Sequence, residues 1–324
     1  MKKILTMGNA LVDVMTLLDS DNVLDNLKLP KGSMQLVDLE TSKQTLEHTQ
    51  NLNRKLTCGG SAANTARSLA MLGVETGYIG KIGKDENGSL FANETKKSGV
   101  TPLLIETDTP TGVAIAMVSK DSERTFATYL GAAAELLPED ISENLFHGYS
   151  ILHIEGYLIF NNALIEKAVK TAKKCGLKIS LDMASYNVVE ANLDFLKKII
   201  ENYIDIVFAN EEEAKAFTGK NPEEALEEIS KMCETAVVKT GEKGSIIKSG
   251  NIFYQEGIID VKPIDTTGAG DNYAAGFLYG YINNRSLDKC AKVGTILAGN
   301  VIEVIGTTMD DKRWTRIKEM VKKI

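Results

Sequence analysis

The stretch DTTGAGD, residues 265–271, runs directly into the apolar helical pattern NYAAGFLYGYI. The first N–H groups of a helix lack intrahelical partners and carry partial positive charge, so they bind anions. Gly268, Ala269 and Gly270 would let a phosphate approach those donors with no side chain in the way, and Asp271 in the first turn then faces the same anion. A carboxylate beside a phosphate is repulsive unless it binds a metal or takes a proton from a nucleophile. Phosphoryl transfer to a hydroxyl requires both parts, an anion hole for the developing charge and a base beside the attacking oxygen. A plainer reading stays open, in which the glycines make a turn and Asp271 complements the helix dipole. The helix N-terminus is expected to lower the pKa of Asp271. A weak base suffices where proton transfer comes late and the carboxylate mainly orients the hydroxyl.

Three further groups belong with this motif. Asp13, in GNALVDV, lies a few residues past the first expected strand. CGGSAANTARSLAMLG opens a helix with Gly59-Gly60, an N-cap at Ser61 and Asn64 one turn in. Singly these are a turn residue and a surface residue; together they offer the carboxylate, open backbone and carboxamide that a vicinal diol requires. Asn210 and Glu213, in NEEEAKAF, share one helix face at a strand end. The pair suits a water-mediated Mg²⁺ or, equally, a capping box.

The elements that must carry these residues alternate along the chain. Strand-like runs ILTM, ILHI, KISLD, DIVFA and TAVVK are separated by helical patterns such as NALIEKAVKTAKKCG and PEEALEEISKM. Further helices are expected over 269–283, from 286 to about 304, and from 309 onward. Apolar strands spaced by amphipathic helices predict a mostly parallel sheet covered on both faces. Two regions break the rhythm: residues 14 to about 56, and residues 110–130, which alternate like a hairpin turning near Lys120 to Arg124. Both are read as one small β-rich lid, within a single unit spanning 1–324. The net charge of -7 disfavours nucleic acid or an anionic membrane as partner. Four cysteines without a C-x-x-C pair suit a reducing, cytoplasmic setting, and Asn9 and Asp13 interrupt the only signal-like stretch.

In order and spacing, GGSAANTARSLAMLGVETGYIGKIGKDENG and DTTGAGDNYAAGFL resemble the two signature regions of the ribokinase/PfkB carbohydrate kinases, over essentially the whole chain. GNALVDV, KGSMQLVD and ERTFATYLGAA are most similar to the adenosine-kinase-like branch. The resemblance implies a three-layer α/β/α fold with a lid, and ATP and Mg²⁺ as cofactors. It implies Asp271 as catalytic base, Gly268, Ala269 and Gly270 as anion hole, and Asp13, Gly59, Gly60 and Asn64 as the holders of sugar hydroxyls. Asn210 and Glu213 match an N-x-x-E element acting on Mg²⁺ and phosphate. Thr240 and Gly241 match a loop near the ATP phosphates, and Asn300 to Gly306 a helix and turn bordering the adenine. Asp265 and Thr267 match part of a monovalent-cation site, for K⁺. Arg124 matches an arginine reaching the transferred phosphate, and Tyr157 with Phe160 are candidates for an aromatic wall. The partner is then a small-molecule acceptor, a purine nucleoside such as adenosine or a free sugar, and the protein a monomer or homodimer. A non-catalytic sensor on the same fold is the alternative from another class. Neither G-x-x-x-x-G-K-[ST] nor a G-x-G-x-x-G after the first strand is present.

Overall fold

Short apolar runs flanked by turns are buried on both faces in a computed structural model describing residues 2–121 and 123–324. Ser122, within the expected hairpin turn, lies outside the described residues. The strands are β1 (Ile4–Met7), β2 (Leu11–Leu17), β3 (Met34–Leu36), β4 (Arg54–Cys58), β5 (Thr76–Gly83), β6 (Val100–Thr107) and β7 (Thr111–Val118). They continue with β8 (Arg124–Gly131), β9 (Ile151–Glu155), β10 (Lys178–Asp182), β11 (Ile206–Asn210), β12 (Thr235–Lys239), β13 (Ser245–Ser249) and β14 (Ile252–Glu256).

A nine-stranded sheet takes the order β14-β13-β12-β11-β10-β9-β1-β5-β6. It is parallel throughout except at β12–β13 and β13–β14. Strand alternation sends Leu5, Leu152, Leu181 and Val207 to one face, where they pack with helices Asn162–Lys174, Leu193–Tyr203 and Pro222–Ile229. Ile4, Ile151, Ile206 and Phe208 go to the other face, against helices Ala269–Ile282, Leu287–Val301 and Asp311–Lys322. Phe208 anchors the site-bearing Ala269–Ile282 helix through edge-on contacts with Phe277 at 5.4 Å and Tyr273 at 6.5 Å between ring centroids. This is the mostly parallel sheet covered on both faces that the strand and helix pattern predicts, and the three-layer α/β/α arrangement that the resemblance implies.

A separate five-stranded sheet, ordered β3-β8-β7-β2-β4, is built from the two segments that break the α/β rhythm. β7 and β8 form the expected antiparallel hairpin. Residues 14–56 are less β-rich than expected, because helices Asn22–Leu27 and Leu39–His48 occupy much of the segment. They cover one face of the small sheet, where Val14, Val113, Ile115 and Met117 are buried. The opposite face carries Asp13, Met15, Arg124 and Phe126; Met15 and Phe126 are in register through Ala116, with Asp13 and Arg124 two positions to either side. That face looks toward the C-terminal turn: Met15 approaches Gly306, and Arg124 contacts Asp265 and Thr267.

Candidate active site

Four of the parallel strands end on polar residues. Glu155 closes β9, Asp182 closes β10, Asn210 closes β11 and Lys239 closes β12, so the strand carboxyl ends form a charged rim beneath the start of the Ala269–Ile282 helix. Ligands of open α/β sheets collect at such ends. Gly268 caps the helix with φ +73°, and a Cβ there would stand 2.6 Å from Thr307 Cγ2, so both conformation and space require glycine.

Asp271 sits in the first helical turn. Its Oδ1 accepts a hydrogen bond from Ser61 Oγ at 2.7 Å, and its Oδ2 accepts one from Asn64 Nδ2 at 2.7 Å. Ser61 is therefore not the N-cap: Gly60 takes that place with φ +87°, and the freed hydroxyl turns to Asp271. The pKa expectation also reverses. Burial raises the Asp271 carboxyl above its ordinary value, while the Ser61 and Asn64 bonds pull it back only in part. A raised carboxylate is a better base than the helix dipole alone would leave. Glu155 supports the same corner: its Oε2 accepts from Ala62 N at 2.9 Å and its Oε1 from Asn9 N and Nδ2 at 2.9 and 2.7 Å. Burial still pushes that acid up to about 7. Sequence reasoning missed Glu155, since only the parallel alignment of β1 and β9 brings it beside the Ser61–Met71 helix.

Asp13 stands on β2 directly over Gly59, where a Cβ would come within 1.9 Å of Asp13 Oδ1. Burial pushes Asp13 up to about 7; Arg67 opposes this and Asp271 adds to it. Arg67, also missed by sequence reasoning, donates to the Cys58 carbonyl at 2.6 Å and to Asn64 Oδ1. Asp13, Gly59, Gly60, Asn64 and Asp271 are thus brought into one cleft. Tyr157 is not placed there as an aromatic wall: it packs on the core, its hydroxyl 3.5 Å from the Ala184 carbonyl, and Phe160 is exposed. Met15 and Phe126 stand in register on the same face of the small sheet as Asp13.

On the other side of the Gly268–Gly270 turn lies a cavity of about 610 Å³, lined at the turn by Ala269 and Gly270. Ile258, Val261 and Pro263 give it an apolar wall, and Gly241 and Gly244 an open backbone edge. Asn300 does not border it. The helix turns that carboxamide inward, fully buried and donating to the Ile296 carbonyl at 2.8 Å, so Gly299 and Ile302 face the cavity instead. Thr240 is buried beside Gly241, which lines the cavity edge. Asn210 and Glu213 form the capping box: Glu213 N donates to Asn210 Oδ1 at 2.8 Å, and Glu213 accepts from Asn210 N at 2.7 Å and Nδ2 at 2.8 Å. Burial raises Glu213 to about 7.

Arg124 and the Asp265 pair are rearranged relative to expectation. The Arg124 guanidinium is spent on Asp265 and Thr267 rather than aimed into the cavity. Asp265 also accepts from Thr267 N at 2.8 Å and Gly306 N at 2.6 Å. These partners outweigh burial and hold its carboxyl below the usual range. The carboxylate matched to a monovalent cation is therefore filled by a guanidinium and two backbone donors, and Gly306 serves that turn rather than the cavity.

Asp271 lies between the cavity lined by Ala269 and Gly270 and the cleft that holds Asp13, Gly59 and Asn64. Residues 32–313 match the model of the pfkB family carbohydrate kinases. The chain belongs to the PfkB family. As a PfkB kinase it is an ATP-dependent phosphotransferase acting on a sugar or nucleoside hydroxyl. The chain is 32% identical to a structure of a probable sugar kinase from Rhizobium etli, covering 98% of each chain with a TM-score of 0.90. It is likewise 32% identical to the adenosine kinase of Sinorhizobium meliloti, covering 98% of this chain and 99% of that one, with a TM-score of 0.89. The 5-dehydro-2-deoxygluconokinase of Bacillus subtilis is 27% identical over 301 residues, 88% of this chain and 91% of that protein. No helix among the described residues is long and apolar enough to cross a membrane.

Proposed function

We propose that this PfkB kinase transfers the γ-phosphate of MgATP to the 5′-hydroxyl of a purine ribonucleoside, adenosine first. The observation that carries the acceptor is the small-sheet face over Asp271: a lone carboxylate, Asp13, set among Met15, Phe126 and the exposed Leu36. A carboxylate accepting from two adjacent hydroxyls fits ribose. The apolar surface beside it fits a flat base, whereas a free sugar would leave Met15, Phe126 and Leu36 facing water. The likeness to the S. meliloti adenosine kinase supports the same acceptor.

In this reading the small sheet is a lid over the acceptor. Asp271 takes the hydroxyl proton as the new O–P bond forms, and ATP lies in the 610 Å³ cavity with its base on the Ile258–Val261–Pro263 wall. Among the described residues no cluster of three or more His, Cys, Asp or Glu forms a metal cage. That suits an ion held mainly by phosphates and water, with Glu213 reaching it only through water. When bound, Mg²⁺ neutralises charge developing on the phosphates.

Gly59→Ala is expected to raise the acceptor KM about tenfold or more, since its methyl displaces Asp13, with ATP affinity unchanged. A normal acceptor KM would remove Asp13 from the acceptor site. A thermal-shift panel tests the acceptor itself. Adenosine at about 100 times its Kd should stabilise the protein by about 2.7 kcal/mol, with ribose and fructose inert. Stabilisation by a free sugar and by no nucleoside would transfer the acceptor to the sugar class.

A further inference from the structure

The cavity beside Gly270 is lined by three glutamates, Glu211, Glu212 and Glu242, and among the described residues by one cationic side chain, Lys239. A nucleotide carrying several negative charges entering such a cavity needs a fixed countercharge. Lys239 closes β12, in register with Asn210 on β11, and its side chain is only 16% exposed. Its Nζ donates to Asp182 Oδ2 at 2.9 Å, and the other Asp182 oxygen accepts from Ala184 N at 3.0 Å. The ammonium is thus held from below by an acid that is itself fixed. Its upper side is turned to the anion hole: a Cβ built on Gly270 has Lys239 Nζ as its nearest neighbour, at 3.1 Å. Burial works against the charge, but Asp182 and Glu213 more than offset it, so Lys239 stays protonated. The neighbouring His153 is bonded to Ser180 Oγ at 2.8 Å, and burial holds it neutral at about 4, so it adds no positive charge beside Lys239.

We propose that Lys239 is a catalytic residue whose ammonium contacts the transferred phosphoryl group at Gly270, with Asp182 as its positioning residue. Arg124 is committed to Asp265 and Thr267, whereas Lys239 Nζ is the atom that a Cβ on Gly270 would meet. During transfer the acceptor oxygen forms its bond to Pγ and gives its proton to Asp271. The Pγ–O bond to ADP breaks with its electron pair staying on ADP, and Lys239 meets the charge spread over the Pγ oxygens. The inference rests on Gly268–Gly270 as the seat of that group and holds whichever alcohol accepts it.

Lys239→Met separates the possibilities. The kcat should fall about 100-fold or more, the scale of one lost oxyanion donor. By calorimetry, the Kd for ATP should rise about tenfold while the Kd for ADP stays within about twofold, because only ATP carries the γ-phosphate. Lys239→Arg should keep most of the ATP preference. Equal weakening of ATP and ADP would place the contact on the β-phosphate and overturn the proposal, as would a normal kcat. If removing one member of the buried pair prevents folding, Asp182→Asn with Lys239→Met removes both charges and is read by the same ATP-to-ADP ratio. Gly270→Val keeps the two readings apart. A variant with normal turnover would remove the anion hole itself, whereas impaired Gly270→Val beside unimpaired Lys239→Met would overturn the lysine alone.

Discussion

Asp271→Asn should fold and bind ATP normally while losing about 10² to 10⁴ in kcat, the usual range for a positioned acid–base group. The carboxamide keeps the shape that Ser61 and Asn64 hold at 2.7 Å each, so the loss is of the base and not of the corner. The wild-type pH profile carries a second mark. Burial raises the Asp271 carboxyl, and only its ionised form accepts the proton. At saturating acceptor, where Asp13 is already ionised, the acidic limb of kcat should therefore fall as pH drops through a value above the ordinary carboxylate range, and Asp271→Asn should flatten it. Near-normal turnover in the folded variant would contradict the assignment.

Asp13→Asn carries the second large effect. A neutral amide accepts at one oxygen only, so a diol loses one strong partner. The ribonucleoside KM should rise, and the preference over the 2′-deoxy analogue, about 1–3 kcal/mol in the native enzyme, should largely vanish. Asp13 also predicts a proton count. Burial holds it at about 7 in the open cleft. Two donated hydroxyl bonds favour the ionised form, so acceptor binding at neutral pH should release a fraction of a proton. Calorimetry in buffers of different ionisation enthalpy measures it. Proton uptake, or none in either enzyme, would mean the diol lies elsewhere.

The fold was legible where local pattern and tertiary environment agree. Runs such as KISLD and TAVVK match β10 and β12 residue for residue, because strands buried on both faces are short, largely apolar runs that end on polar residues. LETSKQTLEH lies in the polar segment read as part of a β-rich lid, yet folds as helix Leu39–His48; its buried side chains are Ser42 and Thr45, so apolar periodicity is absent. The glycine-rich helix start and the place of Asp271 in its first turn were legible because the DTTGAGD stretch runs directly into an apolar helical pattern. Lys239, Asp182, Glu155 and Arg67 were not: each acts across strands or helices far apart in sequence, and each looks locally like a strand end or helix surface. Asn300 erred by one position on a helix, where a single step turns a side chain by about 100° from cavity to core. Arg124 was correctly placed on the small sheet, but its partner follows from Asp265 sharing the same turn.

Product identity tests phosphoryl transfer by this protein most directly. Adenosine and ATP, incubated with the protein and Mg²⁺ and followed by phosphorus NMR with mass spectrometry, should give equimolar ADP and adenosine 5′-monophosphate. The same mixture with Asp271→Asn should give neither at a comparable rate. ADP released with free phosphate and no phosphorylated acceptor, or equal product formation by Asp271→Asn, would contradict the central claim of transfer past Asp271 to a primary hydroxyl.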